Sequence, residues 1–149
     1  MNALFKFEDE FGDGLRCVPM AVRMKLDRAG VKLDLRAWVK FTEEERRELL
    51  ALPAEERDQL DAFGARARLL ARARTGEEPK TLSIPAVFPW DDASIPAELA
   101  AKAAEANARL TADRWAGLAP LQRFALLKLS RPSHENQNFL PACREFGLL

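Results

Sequence analysis

An all-α fold follows from three observations on this 149-residue chain. Apolar residues recur at three- and four-residue spacing in its long segments, whereas the alternation at Phe5 and Phe7 is too short to specify a strand. Helix punctuation is dense, with Pro19, Asp34, Thr42, Pro96, Thr111 and Pro120 as starts and Gly30, Pro53, Asn107 and Gly147 as stops. Finally, residues 18–52 recur without a gap at 95–129, and nine of the 35 aligned pairs are identical, among them Trp38 with Trp115, Arg46 with Arg123 and Lys25 with Lys102. Non-identical pairs keep their physical roles. Gly30 faces Asn107, both tolerant of a left-handed helix end, and Asp34 faces Thr111, both N-cap residues. The expectation is one compact helical domain over residues 1–149, with an internal pseudo-two-fold repeat of short helices at 18–52 and 95–129.

Element by element, Phe5, Phe7 and Phe11 mark an acidic lead segment that reads as an arm pinned by its aromatics. Pro19 suits the first turn of a helix, because its missing N–H would have no partner there. Val22, Lys25, Leu26 and Ala29 continue that helix to Gly30. Asp34 opens a short helix carrying Leu35, Trp38 and Phe41. Thr42 and Glu45 form a capping box for the next, whose buried stripe is Leu49, Leu50 and Leu52. Pro53 stops it. Residues 54–75 form a longer amphipathic helix with Leu60, Phe63, Ala67 and Leu70 on one side. Arg66, Arg68, Arg72 and Arg74 crowd its C-terminal half, either as a solvated face suited to the helix dipole or as an anion-binding face.

Residues 76–95 are irregular, with Pro79, Pro85 and Pro89. Leu82, Ile84, Val87, Phe88 and Trp90 lie among them, a composition that fits a packed loop better than a disordered linker. The second copy repeats the helices of the first: Pro96 to Asn107, Thr111 around Trp115, and Pro120 to Leu129. Ala101 and Ala103 stand where the first copy has Met24 and Leu26, so helices pack closely there. The tail carries Ser133 as a cap, the polar run His134-Glu135-Asn136-Gln137-Asn138, and a last short helix reaching Phe146 with Gly147 as its stop.

Composition narrows the function. Lys plus Arg and Asp plus Glu are both 23, giving a net charge of zero, so long-range attraction for a polyphosphate is weak and nucleic acid is not an expected partner. Cys17 and Cys143 form no CxxC pair and read as buried thiols rather than as zinc ligands or a disulfide framework. The N-terminus lacks a basic start followed by an apolar run, and nowhere do 18 apolar residues follow one another, so no secretory signal and no membrane span are expected. A cytoplasmic location follows as an expectation.

Chemistry-bearing constellations are sparse. The triplet Ser133-His134-Glu135 is contiguous, whereas a catalytic triad needs groups converging from different directions. One His and two distant Cys fall short of a metal site, and no glycine-rich phosphate cradle occurs. Neither a catalytic residue nor a cofactor site is expected, and the chain reads as non-enzymatic. Arg46 and Arg123, kept by the repeat, either satisfy acids and helix ends within the scaffold or face a partner. Trp38 and Trp115 read as core anchors. The polar run at 133–138 is able to make directional hydrogen bonds beyond local capping.

Three stretches carry a family resemblance. They are Phe5-Lys6-Phe7-Glu8-Asp9-Glu10-Phe11, Leu15 through Asp27 with Arg16, Cys17, Pro19 and Arg23, and Leu121 through Pro141 with Arg123, Arg131, Pro132, His134, Glu135, Asn136 and Asn138. Together they resemble the nitrate reductase associated protein family, the NarM-like proteins. The likeness covers both ends and most of the chain between, and is weakest over 54–95. It implies an accessory or maturation factor for active assimilatory nitrate reductase, a molybdenum-cofactor enzyme, acting by protein–protein binding. The implied partner is the nitrate reductase polypeptide, apo or holo, and Arg16, Arg23, Arg131, His134, Glu135, Asn136 and Asn138 are the candidate partner-binding residues. The alternative is a carrier of the molybdenum cofactor, with the arginines at 66–74 or Arg16 and Arg23 clamping its phosphate.

Overall fold

The computed structural model describes residues 4–11, 14–132 and 134–149, with backbone alone at 9–11, 134 and 135. It is mostly helical, and its contacts divide it into two units, Met1–Ile84 and Pro85–Leu149.

In the first unit a 3₁₀ segment, Lys6–Phe11, precedes α1 (Met20–Ala29), α2 (Leu35–Trp38), α3 (Glu43–Ala51) and α4 (Arg57–Thr75). Phe7 is buried and stacks on Phe5 with ring centroids 5.3 Å apart, so the lead segment is helical rather than strand-like and is held by its aromatics. The side chain of Phe11 lies outside the described residues. Pro19 occupies the N-cap of α1 (φ −62°, ψ 151°), one position earlier than the first-turn place expected of it. Proline offers no side-chain acceptor, and the buried Glu8 carboxylate supplies one instead. It accepts from the N–H of Met20 at 2.8 Å and of Phe5 at 3.0 Å, satisfying a helix donor that would otherwise be orphaned.

Gly30 closes α1 at φ +75°, and a Cβ there would come within 3.0 Å of the Leu82 carbonyl oxygen, so both conformation and space require glycine. Asp34 caps α2 by accepting from Ala37 N at 2.9 Å. Thr42 and Glu45 form the expected reciprocal box at 3.1 and 2.9 Å. Residues 54–56 precede α4 rather than belonging to it, because Gln59 Oε1 accepts from Glu56 N at 3.1 Å and starts the helix at Arg57. Gly64 sits 3.4 Å (from its would-be Cβ) from the Ala29 methyl, which lets α4 pack closely on α1. Val22, Leu26, Trp38, Phe41, Leu49, Leu60, Phe63, Ala67 and Leu70 form the core. One element is not foreseen by the periodicity: β1 (Val31–Lys32) pairs antiparallel with β2 (Lys80–Thr81), Val31 opposite Thr81 and Lys32 opposite Lys80. Two residues are too few to show alternation.

The second unit runs from a 3₁₀ turn at Pro89–Asp91 through α5 (Ala97–Glu105), α6 (Ala112–Gly117) and α7 (Pro120–Ser130) to a 3₁₀ segment, His134–Asn138, and α8 (Phe139–Glu145). Asn107 takes the left-handed conformation (φ +58°), and Ala108 N bonds Ala103 O at 2.8 Å, a Schellman closure made by asparagine in place of glycine. Thr111 caps α6 through Arg114 N at 3.2 Å. Gly147 (φ +76°) closes α8, with Leu148 N bonding Cys143 O at 2.8 Å. Leu99, Ala103, Trp115, Phe124, Leu126, Leu127, Leu129, Phe139 and Cys143 are buried. Trp90 meets Phe124 edge-on at 4.8 Å, so the end of the irregular stretch packs on α7 as expected. Val87 does not follow suit: it is 59% exposed, and Ile84 is also exposed.

Candidate functional site

Of the residues singled out as partner-binding, Arg16 and Arg23 belong to the first unit and Arg131, His134, Glu135, Asn136 and Asn138 to the second. Arg16 is exposed on the segment before α1. Arg23 is half-buried on α1, its guanidinium 3.9 Å from the Met20 sulfur. Arg131, just past the end of α7, pairs at the surface with Glu98 of α5 at 3.3 Å. Asn136 turns inward. Its Nδ2 donates to the carbonyl oxygens of Leu129 (3.0 Å) and Arg131 (3.3 Å), closing the C-terminal end of α7. Asn138 is buried at the N-cap of α8. The side chains of His134 and Glu135, and the whole of Ser133, lie outside the described residues. Within the polar run, the Asn136 amide is thus committed to a helix end.

The two tryptophans and the two arginines that accompany them form matched anchors. Trp38 and Trp115 are 0% and 1% exposed, as core residues should be. Trp38 Nε1 donates to Leu15 O at 2.7 Å, and Trp115 Nε1 donates to Asp92 O at 2.9 Å. Arg46 donates to the carbonyl oxygens of Phe41 (2.9 Å), Val39 (3.5 Å) and Gly14. Arg123 donates to Trp115 (2.9 Å), Ala116 (3.1 Å) and Trp90 (3.3 Å), and its guanidinium lies 5.5 Å from the Trp115 ring. A guanidinium presents five donors in a planar fork, which suits it to gathering several carbonyls at once. Each arginine therefore ties the end of a tryptophan helix to the chain that precedes it. Of the two roles open to them, the scaffold role is the one the geometry fills.

The arginine run of α4 is similarly engaged. Arg66 makes a two-bond contact with Glu48, one arm at 2.9 Å, and Arg74 does the same with Glu45 at 3.0 and 2.9 Å. Arg68 donates to Glu78 (3.2 Å), Pro79 O (2.9 Å) and Thr81 Oγ1 (2.9 Å), and Arg72 reaches Glu78 at 3.3 Å. Bonds from Arg74 and Arg66 hold the Glu45 and Glu48 carboxyls below the ordinary carboxylate range. These arginines stitch α4 to α3 and to the β2 segment, so a phosphate would compete with acids already in place.

Two further groups are placed where charge is costly. Lys25 donates to the carbonyl oxygens of Leu49 (3.2 Å), Leu50 (2.7 Å) and Leu52 (2.7 Å), gathering the last carbonyls of α3, and its burial pulls its pKa down. Sequence reasoning grouped Lys25 with the repeat yet gave it no such role. Burial pushes the Cys143 thiol up to about 11, far from thiolate reactivity at neutral pH. Among the described residues, no group of three or more His, Cys, Asp or Glu is disposed to hold a metal ion, and no helix is long and apolar enough to cross a membrane.

A family model described as conserved nitrate reductase-associated protein matches residues 4–146. The chain belongs to that family. The match takes in the residues of both units, including the 54–95 stretch where the likeness is hardest to read by eye. No curated protein and no solved structure matches the chain. The family's description links the chain to nitrate reductase and is consistent with an accessory role.

Proposed function

We propose that this nitrate reductase-associated protein is a non-enzymatic, cytoplasmic factor that binds the nitrate reductase polypeptide and is needed for its active, molybdenum-cofactor-containing form. The observation that carries this reading is how the polar side chains are spent. Arg46, Arg123, Lys25 and Asn136 satisfy helix ends, and Arg66, Arg68, Arg72 and Arg74 satisfy acids. That is the chemistry of a scaffold that presents surfaces. The pairwise match of residues 18–52 with 95–129 supports the same reading, since similar short helices supply docking area rather than a reaction centre. Arg16 and Arg131, exposed near the starts and ends of helices, head the partner-binding set, with Arg23, His134 and Glu135 as further members.

Co-expression with nitrate reductase and mild purification tests the proposal. The expected outcome is retention of this chain on the reductase, with loss of reductase activity but not of reductase polypeptide when the chain is omitted. Failure to associate with either the cofactor-free or the loaded enzyme overturns it. A cofactor-carrier role through the α4 arginines is disfavoured by their existing ion pairs.

A further inference from the structure

A second surface emerges at the small β ribbon. Its register places Lys32 directly opposite Lys80, and both are exposed. Like charges directly opposed across an antiparallel pair destabilise it, and neither lysine has an acid across the ribbon to relieve the repulsion. Arg36 of α2 and Lys40, just past the end of that helix, line the same groove, which has a volume of about 540 Å³ and a floor that includes Leu33 and Ala71. Three acids also line it, and two of them are occupied. Asp34 caps α2 with one oxygen and pairs with Arg36 through the other at 3.9 Å, and Glu78 is shared by Arg68 and Arg72 at 3.2 and 3.3 Å. Glu77 alone is left against Lys32, Lys40 and Lys80, so the groove carries a local excess of positive charge in a chain of zero net charge.

A local rule broken on the surface, without a compensating contact, marks a position held for something other than stability. We propose that this groove binds an acidic segment of a partner polypeptide. The three lysines stand apart, on β1, in the turn after α2 and on β2, each on a long flexible stem. Such spacing matches carboxylates distributed along a chain better than one compact anion, which calls for a convergent and enclosed set of donors. The apolar floor gives room for side chains between the acids. Complementary charge of this kind sets encounter rate and partner choice. The site deepens the partner-binding reading above and names the chemistry of what is bound, while its test does not depend on the reductase.

Fluorescence anisotropy with a labelled twelve-residue peptide of alternating Glu and Leu decides the matter. The K32E/K80E variant should bind about tenfold or more weakly than the unaltered chain. The charge-matched R109E/R144E variant, altered at exposed positions of the second unit, should bind within about twofold of the unaltered chain. The single variant K80E, which replaces a repulsive cross-strand pair with an attractive one, should lose affinity yet resist urea better than the parent, so that binding and stability move in opposite directions. Equal losses in the two double variants, no binding by the parent chain, or tighter binding of a labelled twelve-nucleotide oligothymidylate than of the peptide would each overturn the proposal.

Discussion

Residues 18–52 and 95–129 run in step. Shifted by 77 positions, the first residues of α1, α2 and α3 fall on the first residues of α5, α6 and α7. The tryptophans bond carbonyls at Leu15 and Asp92, which are the same 77 apart, and Arg46 and Arg123 reach the equivalent Val39 and Ala116 oxygens. Lys25 lies 5.7 Å from the Phe63 ring and Lys102 lies 5.9 Å from the Phe139 ring. The units part company after their third helix. In the first, α4 runs for 19 residues and its arginines clasp Glu45 and Glu48; in the second, α8 has seven residues and no such clasp is made among the described residues. Lys25 collects the last carbonyls of α3, whereas Asn136 serves the end of α7 and Lys102 only approaches Glu105 at 3.9 Å. What stays constant is the indole–guanidinium lock that orients three short helices. What changes is the group that closes the third helix, an ammonium in one unit and an amide in the other.

The largest expected effect tests the constant part. Trp38→Ala and Trp115→Ala should each cost about 3–5 kcal/mol, because each removes a buried indole and leaves a carbonyl without its donor. Urea denaturation followed by circular dichroism measures both. A cost below about 1.5 kcal/mol in either variant would show that the two locks are not energetic equivalents. A middle-sized effect sharpens the difference. Lys25→Met strips the donor from three carbonyls and should cost about 1–3 kcal/mol, whereas Lys102→Met, which loses a long approach to Glu105 and its place over the Phe139 ring, should cost less than about 1 kcal/mol. Equal losses would remove the distinction drawn between ammonium and amide closure.

The smallest effect concerns acid. The folded pKa values of Glu45 and Glu48 lie below the ordinary 4.5, so their contribution is present above that value and fades as pH falls through the lowered folded values. The double variant E45Q/E48Q should therefore show a flatter loss of stability below pH 4.5 than the parent, with a change in urea midpoint smaller than that of Lys25→Met. An unchanged acid limb would mean that the α3–α4 clasp contributes nothing to folding.

Most of the helical scaffold is legible in the residues themselves, because its signals are local. Asp34, Thr42, Thr111 and Gly147 act within one turn of the chain, and the start and stop rules read them directly. The misses share a different cause, since each depends on a residue distant in sequence. Glu8 caps α1 from twelve positions upstream, and the ribbon joins residues 31–32 to 80–81 across α2, α3 and α4. The candidate site divides the same way. Asn136 and Asn138 read as partner-binding residues able to make directional hydrogen bonds; the structure has the one closing a helix seven residues back and the other buried. The arginines of α4 read as a run, and only the placement of Glu45, Glu48 and Glu78 reveals them as pairs.

The seating of Cys143 has a practical corollary. With that sulfur fully covered and its proton held until pH about 11, alkylating dyes used near neutrality will meet the half-buried Cys17 first. A single fluorophore can thus be attached beside Arg16 without engineering the chain, giving a reporter on the first unit with which to time the encounter with a reductase.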